Sequence, residues 1–248
     1  RIGIGLDNVD LHTAKKLGVK VSYTPDAPAP AVSELTIGLM ISLMRSIQIA
    51  NLKMHQGNWN RFFGKRFSHL TIGIIGIGRI GKRVIRHLSG FDCREILVND
   101  LIEKNDTLFP GQLKWVDKET IYKKCDIISL HLPLNNKTNN MIGSEQIELM
   151  KNGVMLINTS RGGIINENDL YHGLNSGKVG SAAIDVFEEE PYKGELSLLD
   201  NCLITSHMGS MTEDCRSRME IEATEEAARY ITGKKLEYEV PIEEYFNT

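Results

Sequence analysis

Gly73-Ile74-Ile75-Gly76-Ile77-Gly78-Arg79-Ile80-Gly81 decides the fold. It follows an apolar run, Leu70–Gly76, and opens a stretch of helical period, Arg79–Leu88. Gly76, Gly78 and Gly81 spell G-x-G-x-x-G. In that pattern the first glycine permits a tight turn, the second admits a pyrophosphate against the backbone, and the third lets the helix pack on the strand. The helix N-terminus then presents N–H groups and positive dipole to the phosphates. The pattern alone is weak, but Asp100 ends the next apolar run about 20 residues on, where a ribose-binding carboxylate belongs. A carboxylate there repels a 2′-phosphate, so NAD is expected over NADP. Gly76 to Lys82 also begins a P-loop, yet Arg83 stands where Ser or Thr must hold magnesium.

Outward from this loop, six apolar, β-branched-rich runs recur: Leu70–Gly76, Glu95–Asp100, Cys125–Pro133, Val154–Thr159, Ala182–Phe187 and Cys202–His207. Their nearly unbroken apolar character suits strands covered on both faces. Helical periods at Arg79–Leu88, Ser144–Met150 and Glu167–Leu174 alternate with them. Strand–helix alternation implies right-handed crossovers and a Rossmann-type, doubly wound parallel α/β sheet. Ahead of it, Ala31 to Met54 reads as one long helix, apolar most of the way round and so buried on more than one face, either in the core or against a second subunit. A charged helix, about Thr212 to Thr232, ends at Gly233. Arg1 to Asp10 reads as the end of a strand and a glycine-rich turn, which implies that a preceding segment is missing.

The 248 residues suffice for a sizeable core, and a net charge of −3 gives no reason to expect nucleic acid or an anionic membrane as partner. Cys93, Cys125, Cys202 and Cys215 are widely spaced, without metal-like clustering, and read as idle thiols of a reducing compartment. No run is apolar enough to span a bilayer and no signal peptide is visible, so the expected location is cytoplasmic.

Ligands in open α/β sheets sit at the carboxyl ends of the strands. Arg161, Glu190 and His207 follow or close three of the expected strands and so fall at one edge. Hydride transfer from a nicotinamide to a carbonyl carbon requires a proton on the oxygen. Histidine suits the proton, a carboxylate orients the ring, and arginine binds a carboxylate and developing oxygen charge.

Taken together, Gly3-Ile4-Gly5-Leu6-Asp7-Asn8-Val9-Asp10, Val32-Ser33-Glu34-Leu35, Gly76–Gly81, Leu130-His131-Leu132-Pro133, Asn158–Gly163, Asp185–Pro191 and Ser206–Gly209 resemble the D-isomer-specific 2-hydroxyacid dehydrogenase family across almost the whole chain. The resemblance implies Arg161 as the substrate-binding arginine, His207 as acid/base and Glu190, beside Pro191, as its carboxylate partner. A Glu here, where the related formate dehydrogenases carry Gln, disfavours formate oxidation. Cofactor contacts are implied for Gly76, Gly78, Arg79, Ile80, Gly81, Asp100, His131, Pro133, Thr159, Asp185, His207 and Gly209, with no metal. It further implies residues 1–26 as a fragment of a flavodoxin-like substrate domain, 27–210 as the NAD-binding domain, 211–248 as a helix and tail returning to the substrate domain, and a homodimer through helix 31–54. The Gly3–Asn8 turn would help bind the substrate carboxylate. Phosphoglycerate or glycerate is the substrate the overall resemblance favours. An NAD(H)-sensing, corepressor-like binding protein on the same fold stays open as the alternative.

Overall fold

The computed structural model describes residues 1–101 and 113–246. In chain order the elements are α1 (Leu11–Lys16), α2 (Ala29–Arg45), α3 (Ile47–His55), β1 (Thr71–Ile75), α4 (Arg79–Leu88), β2 (Glu95–Asn99), β3 (Leu113–Trp115), α5 (Lys118–Lys124), β4 (Ile127–Leu130), α6 (Ser144–Leu149), β5 (Val154–Asn158), α7 (Glu167–Ser176), β6 (Val179–Ile184), β7 (Cys202–Ile204) and α8 (Glu213–Ile231). The strands form one sheet in the order β3-β2-β1-β4-β5-β6-β7, every pairing parallel. This is the expected doubly wound α/β fold.

The continuous apolar runs follow from two cores, one on each face. Alternate residues of each strand divide between them: Ile96 and Val98, with Met155 and Ile157, join Met40, Met44, Val84 and Leu88 of α2 and α4. Leu97, Leu156 and Ala182 join Ile121, Ile147 and Leu170 of α5, α6 and α7. Every residue of β1, β4 and β5 is buried, which is why hydrophobicity does not alternate there.

Four expectations need correction. Strand β3 is a seventh strand, too short for its period to stand out. The expected strand at the chain start is absent: residues 1–10 make turns, with Gly3 exchanging bonds with Thr24 (Gly3 N to Thr24 Oγ1 at 2.7 Å, Thr24 N to Gly3 O at 3.1 Å). The run around Ala182 begins earlier, at Val179, and ends at Ile184, so Asp185 to Phe187 lie beyond the strand. The helix expected over 31–54 is two helices bent by 65°. Ser46, at φ +51°, caps α2 in the left-handed region, and Lys65 N–H takes the orphaned Met44 carbonyl at 3.1 Å, so a contact distant in sequence ends the helix. α2 is largely buried, whereas α3 buries no residue, so burial on several faces holds for the first part alone. Among the described residues, no single helix is long and apolar enough to cross a membrane. All four cysteines are buried thiols; burial pushes Cys93 up to about 11, and Cys125 and Cys202 to about 12.

The chain ends on a clasp. Val240 N donates to Val21 O and Tyr23 N to Tyr238 O, pairing the tail with the early segment. Glu226 of α8, 2% exposed, organises this: its carboxylate accepts from Glu237 N (3.0 and 3.1 Å) and Tyr238 N (3.0 Å). Glu226→Ala leaves two amides unpartnered and should cost about 2–3 kcal/mol. Urea unfolding, with faster hydrogen exchange at Glu237 and Tyr238, checks this; an unchanged midpoint would show the clasp to be incidental.

Candidate active site

The order of strands reverses between β1 and β4, and the glycine loop leaves β1 at that switch point. Gly76 sits at φ +97°, and a Cβ on it would lie 2.3 Å from the His131 carbonyl oxygen at the end of β4. A Cβ on Gly81 would lie 2.0 Å from the Gly76 carbonyl oxygen, so α4 presses directly on the turn. A Cβ on Gly78 would meet nothing within 4 Å, and the space beside it is open. Ile80 is half-buried beside the α2–α4 core. Asp100, just past β2, accepts from Ile77 N at 2.6 Å, which holds the loop to the tip of the second strand. Arg79 Nε donates to Asp26 Oδ1 at 2.7 Å.

Across the crevice, His131 Nε2 pairs with Ser129 Oγ at 3.0 Å, while its buried Nδ1 has no partner. Burial pushes the ring down to about 3, so it is neutral throughout the physiological range. Pro133 O accepts from Thr138 Oγ1 at 2.6 Å, shaping the loop after His131. Thr159, 6% exposed, shares a hydroxyl bond of 3.0 Å with Thr36 of α2. An open glycine turn, a helix N-terminus, a strand-end carboxylate and an orphaned buried nitrogen together fit a dinucleotide.

The second half of the edge is built on Asp185, 1% exposed. Its Oδ1 accepts from Thr205 Oγ1 at 2.6 Å and Met208 N at 2.8 Å, its Oδ2 from Gly209 N at 2.9 Å, and its backbone oxygen from His207 N at 2.8 Å. These bonds hold His207 at φ +49°, a left-handed conformation costing a non-glycine residue about 1 kcal/mol. The imidazole thereby meets Glu190: Nδ1 lies 2.8 Å from Oε2 and 3.1 Å from Oε1. An ionised carboxylate only accepts, so Nδ1 carries the proton and Nε2 is left for another group. Phe187 N fixes Glu190 Oε1 at 3.1 Å.

Arg161 arrives from the turn after β5. Asn158 braces that turn, donating from Nδ2 to Arg161 O at 2.8 Å and accepting from Ser160 N and Oγ. A Cβ on Gly162 would lie 1.9 Å from Phe187 O, so this turn packs on the one bearing Glu190. Arg161 Nε donates to Asp7 Oδ1 at 2.8 Å and Nη1 to Ser160 O at 2.6 Å; a Cβ on Gly5 would overlap its Nη2. Burial alone would raise the Asp7 carboxyl, but the Arg161 charge and hydrogen bond hold it below the usual range. The structure therefore joins His207 to Glu190 directly, and sets Arg161 on the adjoining turn against the Gly3–Asn8 segment. Sequence reading did not find Thr36 or Asp26, and placed Asp7 only within the Gly3–Asn8 turn; each acts through a partner far away in the chain.

Residues 37–209 match the D-isomer specific 2-hydroxyacid dehydrogenase, NAD binding domain. The chain belongs to this family. It is 42% identical over 231 residues to a hydroxypyruvate reductase of Thermotoga maritima, covering 91% of this chain and 74% of that protein. Against a D-3-phosphoglycerate dehydrogenase of Methanocaldococcus jannaschii it is 38% identical over 240 residues, covering 96% of this chain but 46% of the relative. A glyoxylate reductase structure from Paecilomyes thermophila superposes with a TM-score of 0.90 at 31% identity, covering 97% of this chain and 74% of that one. A D-lactate dehydrogenase from Aquifex aeolicus, complexed with NAD and lactic acid, gives 0.87 at 29% identity, covering 94% and 75%.

The glycine geometry separates two substitutions. Gly81→Ala forces backbone apart and should destabilise by about 1–3 kcal/mol. Gly78→Ala should leave stability within about 0.5 kcal/mol and instead weaken NADH binding. Urea melts and NADH fluorescence titrations check both; equal stability losses would contradict this reading of the loop.

Proposed function

We propose that this protein interconverts a D-2-hydroxy acid and its 2-oxo acid with NAD. The single observation that carries the reading is the His207–Glu190 hydrogen bond beside a dinucleotide crevice. Bound NAD supplies the hydride acceptor, and as NADH the donor. Gly76, Gly78, Arg79, Ile80, Gly81 and Asp100 would hold its adenosine and pyrophosphate, and His131, Pro133, Thr159, Asp185, His207 and Gly209 would line its remaining length.

In this reading His207 moves the proton. During reduction its Nε2 donates to the carbonyl oxygen, and during oxidation it takes the hydroxyl proton. Glu190 keeps the proton of the neutral ring on Nδ1 and aims the ring. Arg161 offers its remaining guanidinium donors to the substrate carboxylate and carbonyl oxygen, its position fixed by Asp7 and Ser160. The partition proposed is 1–26 on the substrate side, 27–210 for the cofactor, and 211–248 returning to the substrate side; the tail's pairing with residues 21 and 23 supports it. The substrates of the named relatives make hydroxypyruvate, phosphohydroxypyruvate and glyoxylate the 2-oxo acids to try first, with pyruvate beside them.

NADH oxidation with these four acids tests the reading: turnover of at least one is expected, whereas tight NADH binding without turnover would point to a sensor. His207→Ala should lower kcat by ~10²–10⁴-fold while NADH still binds; a small loss would remove His207 from the chemistry.

A homodimer through 31–54 is proposed as well, with α3 supplying the contact. Ile47, Leu52 and Met54 are exposed there, with Phe62 and Phe63 close behind in the chain. Sedimentation of Leu52→Asp should give a monomer; an unchanged dimer would place the interface elsewhere.

A further inference from the structure

Arg79 stands at a junction. It follows Gly78, where the loop leaves its open space, and it opens α4. Yet its Nε bonds to Asp26, in the segment joining Thr24 to α2. It also lies near the Tyr23 hydroxyl, whose pKa burial raises and the Arg79 charge pulls back. The phosphate loop is thus tied to the 23–26 segment, which the tail clasps through Tyr23 N and Tyr238 O.

The tie is weak by construction. The two side chains are 47% and 48% exposed, and such pairs are readily exchanged. A pyrophosphate at the α4 N-terminus is a stronger anion, able to accept paired, charge-assisted bonds from a guanidinium. Asp26 meanwhile neutralises the cation beside the place where that anion must sit. Nor is Asp26 stranded if Arg79 leaves. Arg218 of α8, bonded to Glu222 Oε1 at 2.6 Å, is close enough to feel the Asp26 charge.

We propose that Asp26 and the cofactor's pyrophosphate share Arg79 in competition, so that Asp26 attenuates NAD(H) binding and cofactor arrival releases the glycine loop from the 23–26 segment. This rests on the NAD reading above and adds a residue, Asp26, that acts on the cofactor through Arg79. The affinity set by the loop is then tuned from outside it, by the segment that leads into the cofactor-binding sheet.

NADH fluorescence titrations of the unaltered chain, Asp26→Asn, Arg79→Gln and the double variant test the proposal. Asp26→Asn, isosteric and at an exposed site, should tighten NADH binding by about two- to fivefold. Arg79→Gln should weaken it, and in that background Asp26→Asn should change nothing, since the two substitutions remove one interaction. Unchanged or weaker binding by Asp26→Asn would overturn the competition. So would equal tightening without Arg79, which would reduce Asp26 to a general repulsive charge. No NADH binding by the unaltered chain would overturn both this inference and the nucleotide reading.

Discussion

A buried carboxylate with a full set of donors holds together the edge that carries His207 and Glu190. Asp185 lies where β6 has just ended, and it gathers Thr205, Met208 and Gly209 from the turn after β7. An ionised group this deep is tolerable because every bond it accepts is directed and short. Its consequence is local: the turn is forced through a left-handed residue, and that residue is His207. The imidazole is thereby presented to Glu190, whose own position is fixed by Phe187 N–H. Remove the anchor and the sheet would survive, but the histidine would lose its aim.

The cofactor half obeys a different constraint, close approach of backbone to backbone. β1 and β4 diverge in their crossovers, leaving a crevice at their carboxyl ends, and the glycine loop narrows it until Gly76 touches His131. Side chains are absent both where phosphate must come near the chain, at Gly78, and where the helix presses on the turn, at Gly81. The two halves meet because β4, β5, β6 and β7 are parallel neighbours, so that the residues following them share one edge.

Much of this was legible in the chain. Gly76, Gly78, Gly81 and Asp100 have a loop geometry set by local spacing, and strands covered on both faces announce themselves by unbroken apolar runs. Arg161, Glu190 and His207 could be placed at one edge because each follows or closes such a run. Other features were hidden for physical reasons. β3 is three residues long, too short for any period. The α2–α3 break carries no proline or glycine at its corner, since a carbonyl captured by Lys65 replaces the usual signal. Glu226 gave one clue in retrospect: it continues the helical spacing of buried Cys215 and Met219, a charge placed on an apolar stripe. Asp26 sits in a turn whose partner lies far along the chain, and no local pattern could name it; Asp7 was placed only as one residue of the Gly3–Asn8 turn, its partner Arg161 equally distant.

In the proposed reaction Glu190 fixes the proton on one nitrogen of His207 and leaves the other to the substrate. ¹⁵N NMR of the histidine side chains across neutral pH, assigned through a His207→Gln spectrum, reads this directly. Nδ1 is expected to stay protonated throughout, Nε2 alone gaining and losing its proton. Loss of the Nδ1 proton on raising the pH, leaving the Nε2–H form, would contradict it.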